Sequence, residues 1–78
     1  MSNYRLDVKG LITLGDYSNI YDSMGMINKN DSLTITIGEG NEKELEIVKS
    51  ILKYKDFLID EDTKDVDREY FITAHKKI

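Results

Sequence analysis

The chain has 78 residues, of which 40% are hydrophobic and 33% are charged, and its formal net charge is -4 at pH 7. A chain of this length is expected to form one domain, over residues 1–78. It contains no cysteine, which excludes disulfides, cysteine-based zinc sites and thiol catalysis. The acidic balance also disfavours nucleic-acid binding, because that binding rests mainly on lysine and arginine neutralising phosphates.

The distribution of charge argues against insertion into a membrane. Runs without a charged residue, such as residues 10–15, are far shorter than the roughly 20 residues that a bilayer-spanning helix needs. Residues 1–10 mix charges throughout and lack the apolar stretch of a signal peptide. We therefore expect a cytoplasmic protein with no membrane role.

The first strand is predicted over residues 4–12, where apolar and polar residues alternate with the period of a half-buried strand. Gly10 breaks this alternation, as a glycine at the end of a strand does. The inward side of the strand is expected to carry its apolar members, Tyr4, Leu6 and Val8.

The first helix is predicted to follow, with Asp16 as its N-cap and Gly25 as its C-cap. One face of this helix is expected to be buried, because its apolar residues recur at the spacing of helical turns: Tyr17, Ile20, Tyr21 and Met24. The polar residues 28–31 then predict a turn.

The second strand is predicted over residues 32–38, where Leu33, Ile35 and Ile37 alternate with hydroxyl side chains. The second helix is expected to begin at Asn41, whose spacing from Glu44 is that of a capping box. Its acidic residues precede its basic ones, which suits the helix dipole. Its predicted buried stripe is Leu45, Val48, Ile51 and Leu52, with Ile47 beside it.

Two more strands complete the chain, over residues 57–63 and 68–77, with a loop at residues 64–67. Phe57 and Ile59 are expected to point inward, and the two strands should form an antiparallel hairpin. The last strand is expected to carry Tyr70, Ile72 and Ala74 on one side. The order β-α-β-α-β-β predicts an α/β two-layer sandwich, in which a four-stranded mixed sheet carries both helices on one face through right-handed crossovers.

Three short fragments of the sequence lie in the first strand, just before the second strand and in the last strand. Residues 6–10 read LDVKG in the first strand, residues 30–33 read NDSL before the second, and residues 70–77 read YFITAHKK in the last. In this order and spacing they resemble the TusA/SirA-like family of small sulfur-carrier proteins, whose first strand carries Leu-Asp-x-Arg/Lys-Gly. The resemblance covers nearly the whole chain and implies the same fold.

The reactive motif of that family is Cys-Pro-x-Pro at the start of the first helix. Here Thr13 stands at the cysteine position, and Leu14 and Asp16 stand at the two prolines. Sulfur carriage needs a thiolate that accepts and passes on a sulfur atom, and a threonine hydroxyl forms no persulfide.

The resemblance therefore implies a non-catalytic domain, which is not an enzyme and needs no cofactor. We expect a protein-interaction or regulatory module related to sulfur-relay proteins. The expected partner is another protein, and the candidate partner face is Asp7, Lys9, Gly10, Leu11, Thr13, Leu14, Asp16 and Tyr17.

Two other functions stay open on the sequence alone: a small nucleic-acid-binding domain of the same topology, and a sulfur-relay component whose partner supplies the cysteine. A hydroxyl nucleophile at Thr13 would need a base, and His75 is the only histidine. The acidic residues 60–67 lack the glycine of a calcium loop, so no metal site is expected. A monomer is slightly favoured over a homodimer.

Overall fold

The computed structural model of the protein describes residues 2–8, 10–65 and 68–77. These residues form four strands and two helices in the predicted order: β1 (Asn3–Val8), α1 (Leu14–Met24), β2 (Ser32–Ile37), α2 (Glu42–Tyr54), β3 (Phe57–Lys64) and β4 (Tyr70–Lys76). Of the loop predicted at residues 64–67, Lys64 belongs to β3, and Val66 and Asp67 lie outside the described residues.

The four strands form one mixed sheet in the order β1-β2-β4-β3. β1 runs parallel to β2, whereas β4 lies between β2 and β3 and is antiparallel to both. The predicted mixed sheet, the final hairpin and the small α/β sandwich are thus confirmed.

The core lies on one face of this sheet, because the strand register aligns the apolar residues. Leu6 lies opposite Ile35, and Ile35 lies opposite Ile72. The helices contribute buried residues to the same core, namely Ile20, Met24, Leu45, Val48 and Leu52. The placement of both helices on one face and the right-handed crossovers stay predictions.

Tyr21 lies outside this core, contrary to the predicted stripe of α1, and so does Ile47, which was predicted to lie beside the stripe of α2. Tyr21 and Ile47 are each about half exposed. A helix packed on one side of a sheet buries only a narrow stripe, and both residues sit at the margin of that stripe. The ring of Tyr21 instead contacts the ammonium group of Lys55, whose Nζ is 4.5 Å from the ring centroid.

The start of α1 also differs from the prediction. Thr13 is the N-cap, and Asp16 is the third residue of the helix rather than its cap. The two residues form a reciprocal capping box, which places each side chain on the other's backbone N–H. The predicted C-cap at Gly25 is confirmed. Neither described helix is long and apolar enough to cross a membrane.

Candidate functional site

The turns that follow β1 and β2 lie side by side at one end of the sheet. This neighbourhood arises because the two strands are parallel and adjacent, so their carboxyl ends point the same way. The carboxyl ends of parallel strands, where helices begin, are common places for binding sites. The residues predicted as a site fall largely on the first of these turns.

Asn41 joins the two turns. Its side chain is fully buried, and its amide nitrogen donates to the carbonyl oxygens of Gly10 at 2.8 Å and Gly38 at 3.0 Å. Its amide oxygen accepts the backbone N–H of Ile12 at 3.0 Å. All three contacts involve backbone groups, so one side chain fixes the course of both turns.

This arrangement corrects the predicted role of Asn41. The residue is the N-cap of α2 by position, but its side chain makes no capping hydrogen bond, and the predicted capping box with Glu44 is absent. The amide oxygen is already engaged by Ile12 across the gap between the turns. A buried amide is stable only when its donors and acceptor are paired, and here backbone groups of both turns pair them.

Thr13 and Asp16 cap the N-terminus of α1. The Thr13 N–H donates to Asp16 Oδ2 at 2.8 Å, and the Asp16 N–H donates to Thr13 Oγ1 at 3.3 Å. The Thr13 hydroxyl also donates to Asp16 Oδ2 at 3.2 Å. Thr13 is therefore a helix cap whose hydroxyl is engaged within the chain.

Leu11 and Leu14 project from this fixed turn. Their side chains are 71% and 84% exposed. A Cβ placed on Gly40 would lie 3.9 Å from Leu11 Cδ2, so Leu11 leans over the second turn. Gly10 and Gly40 have φ angles of +72° and +91°, a left-handed conformation that L side chains rarely adopt. We call Leu11, Thr13 and Leu14 the turn surface.

Asp7, another of the predicted site residues, lies apart from the turn surface. Asp7 is on β1, on the sheet face opposite the core, and its carboxylate lies 3.4 Å from Nε of Arg5. Lys9 lies outside the described residues. The structure thus brings together five of the eight predicted residues: Gly10, Leu11, Thr13, Leu14 and Asp16.

Tyr17 packs partly against the core. Its hydroxyl is buried without a hydrogen-bond partner among the described residues. Burial raises the pKa of Tyr17, and the nearby carboxylate of Glu44 raises it further. The pKa shift therefore favours the neutral phenol, and Tyr17 acts in packing.

His75 lies far from Thr13. It pairs with Ser32, the first residue of β2, whereas Thr13 follows the other end of β1. Six residues of strand separate the two ends, a length of about 20 Å. The His75 Nδ1 instead contacts Asp60 Oδ2 at 2.9 Å. A Thr13 nucleophile therefore has no histidine base beside it.

The described residues contain no pocket and no group of three or more side chains placed to hold a metal ion. Within the acidic segment of β3, Asp62 forms an ion pair with Lys49 of α2. This ion pair raises the pKa of Lys49, chiefly through the hydrogen bond to Asp62. Asp62 thus links β3 to α2.

In comparisons with known proteins, no family model, no curated protein and no solved structure matches the chain. Function is therefore inferred from the residues and the geometry of the chain itself.

Proposed function

We propose that this chain is a non-catalytic protein-interaction domain that inserts Leu11 and Leu14 into an apolar cleft of a partner protein. One observation carries the proposal: two leucines, 71% and 84% exposed, stand on a turn that internal hydrogen bonds hold in place. Burying a leucine side chain stabilises a complex by about 1.5–3 kcal/mol. A turn that is ordered before binding also loses little conformational entropy on binding.

The residues around the leucines support a binding role over a chemical one. The Thr13 hydroxyl is engaged in the cap of α1, and the chain has no cysteine to accept sulfur. We accordingly propose a TusA/SirA-like scaffold whose reactive position has become part of the helix start. Its proposed location is the cytoplasm.

A double variant of the turn surface tests this proposal. The partner is first isolated from cells of the source organism with the native chain and then purified for titration calorimetry. Leu11→Ser with Leu14→Ser should weaken the binding by about 100-fold or more, since two apolar contacts are lost. Met26→Ser is the matched control, because Met26 is 69% exposed beyond the opposite end of α1.

The control is expected to bind like the native chain. Unchanged affinity of the double variant, or an equal loss with Met26→Ser, would show that the turn surface is not the binding surface.

The absence of sulfur carriage is tested separately. The chain is incubated with a cysteine desulfurase and cysteine, and its mass is measured under non-reducing conditions. We expect no gain equal to a sulfur atom, because the chain offers no thiolate acceptor. A reproducible gain of that mass would refute the non-catalytic assignment and leave the binding test above unaffected.

A further inference from the structure

The outer edge of β1 presents backbone groups that have no partner among the described residues. β1 is bonded to β2 alone, where Ser2 O accepts the Ser32 N–H at 2.9 Å and Val8 O accepts the Gly38 N–H at 3.2 Å. In a parallel strand pair, only every second residue of a strand forms backbone hydrogen bonds with a given neighbouring strand. The even-numbered residues of β1 therefore face β2, and the N–H and C=O groups of the odd-numbered residues point outward: Asn3, Arg5 and Asp7.

The two edges of the sheet differ in how they resist pairing. β3, at the opposite edge, contains a register irregularity between Ile59 and Glu61 and carries consecutive acidic residues at 60–62. Both features block the addition of another strand. β1 keeps an uninterrupted register with β2 from Asn3 to Val8 and has no such protection.

The side chains of β1 complement a second copy of the same strand. Arg5 and Asp7 lie on the face opposite the core, whereas Tyr4 and Leu6 are half-buried on the core face. If two β1 strands run antiparallel with Leu6 opposite Leu6, each Arg5 lies opposite an Asp7 of the other copy. Opposite charges directly across a strand pair stabilise it, and like charges destabilise it.

We propose that the chain forms a symmetric dimer through antiparallel pairing of β1 with β1 of a second copy, in the register that places Arg5 opposite Asp7. The two four-stranded sheets then become one continuous sheet. The pairing is isologous, as a two-fold axis through Leu6 requires. The intrachain contact between Arg5 and Asp7, 3.4 Å at an exposed site, is replaced by two contacts between copies.

The alternative registers are less favourable. The outward groups belong to odd-numbered residues, so a hydrogen-bonded antiparallel pair must match odd with odd. Moving the second strand by two residues in one direction places Arg5 opposite Arg5, which brings like charges together. Moving it by two residues in the other direction places Asp7 opposite Asp7, which also brings like charges together. The charges of β1 therefore select one register.

Sedimentation equilibrium with charge-reversal variants tests the dimer. For the native chain between about 10 µM and about 1 mM, a range that populates even a weak association, the mass should rise from 9.0 kDa towards twice that value. Arg5→Asp should remain monomeric, because two paired copies of this variant would have aspartate opposite aspartate wherever position 5 faces position 7. Asp7→Arg should also remain monomeric, because two paired copies of this variant would have arginine opposite arginine.

An equal mixture of these two variants should recover the dimer, because each aspartate at position 5 or 7 of one variant then lies opposite an arginine of the other. A misfolded variant cannot produce this recovery. Glu61→Lys, which reverses an exposed charge on the other edge strand, is the control and should associate like the native chain.

Amide hydrogen exchange locates the interface. The Arg5 and Asp7 amides should become more protected as concentration rises, whereas the Leu6 amide, which faces β2, should not change. A native chain that stays at 9.0 kDa throughout would overturn the proposal. So would a mixture that fails to associate, an Arg5→Asp variant that dimerises like the native chain, or association without protection of these two amides.

Discussion

The side chain of Asn41 occupies the space between two turns that are distant in sequence. Its partners at Gly10 and Ile12 are 31 and 29 residues away along the chain. A local pattern identifies Asn41 as a helix start, and it is the N-cap by position. The hydrogen-bond partners of its amide depend on the parallel packing of β1 and β2. A short-range sequence pattern could therefore not have revealed that Asn41 joins the two turns.

Removing the amide of Asn41 should destabilise the protein. Asn41→Ala leaves one buried N–H and two carbonyl oxygens without their partner, and we expect the free energy of unfolding to fall by about 2–3 kcal/mol. Urea denaturation followed by circular dichroism measures this loss. Asn30→Ala, at an exposed asparagine in the turn before β2, should change stability by less than about 0.5 kcal/mol. Equal effects in both variants would contradict the role of Asn41.

Removing the hydroxyl of Tyr17, in contrast, should not lower the free energy of unfolding. That hydroxyl is buried without a hydrogen-bond partner among the described residues. Folding therefore removes its hydrogen bonds to water and replaces them with none. Tyr17→Phe keeps the ring and should leave the free energy of unfolding unchanged or raise it by up to about 1 kcal/mol. Thermal and urea unfolding measure the difference. A clear loss of stability would show that the hydroxyl makes a stabilising contact.

The elements follow from the sequence because their patterns are local. The alternation of Leu33, Ile35 and Ile37 predicts a strand with one apolar face, and all three side chains are fully buried. The start of α1 was harder to predict, because Thr13 and Asp16 are both good capping residues. Only the position of the preceding turn decides between them, and the structure uses Thr13 as the cap with Asp16 as its reciprocal partner.

A buried carboxylate ties the turn before β2 to Ser2, the residue that precedes β1. Asp31 accepts the Ser2 N–H at 2.7 Å and the Asn28 N–H at 3.0 Å. These hydrogen bonds, chiefly that from Asn28, lower the pKa of Asp31 from its ordinary value of 3.8. Asp31 therefore contributes stability that is present above pH 3.8 and is lost as the pH falls through the lowered pKa.

Substituting Asp31 tests this linkage. Asp31→Asn should show a smaller decrease in the free energy of unfolding between about pH 4 and pH 2 than the native chain, because the titrating group is gone. Urea unfolding at a series of pH values gives both slopes. Asp22→Asn, at an exposed position of α1, is the matched control. If the Asp31 and Asp22 variants had the same slope, the hydrogen bonds of Asp31 would not couple folding to pH.

At the scale of the whole molecule, the element order could be predicted from the sequence, whereas the function of the surface stays a prediction. The order β-α-β-α-β-β follows from hydrophobic periodicity, but the central place of β4 depends on long-range pairing. The same pairing separates His75 from Thr13 and leaves Asp7 on a different surface from Leu14. The proposed turn surface and the outer edge of β1 are therefore products of topology as much as of sequence.

The proposed function requires that the turn carrying Leu11 and Leu14 is ordered before any partner binds. Hydrogen exchange at the Ile12 amide tests it most directly, because this N–H donates to the buried oxygen of Asn41. In the isolated native chain we expect strong protection of this amide, which Asn41→Ala should abolish while the β2 amides stay protected. Exchange of the Ile12 amide at the rate of an unstructured peptide in the native chain would contradict the claim.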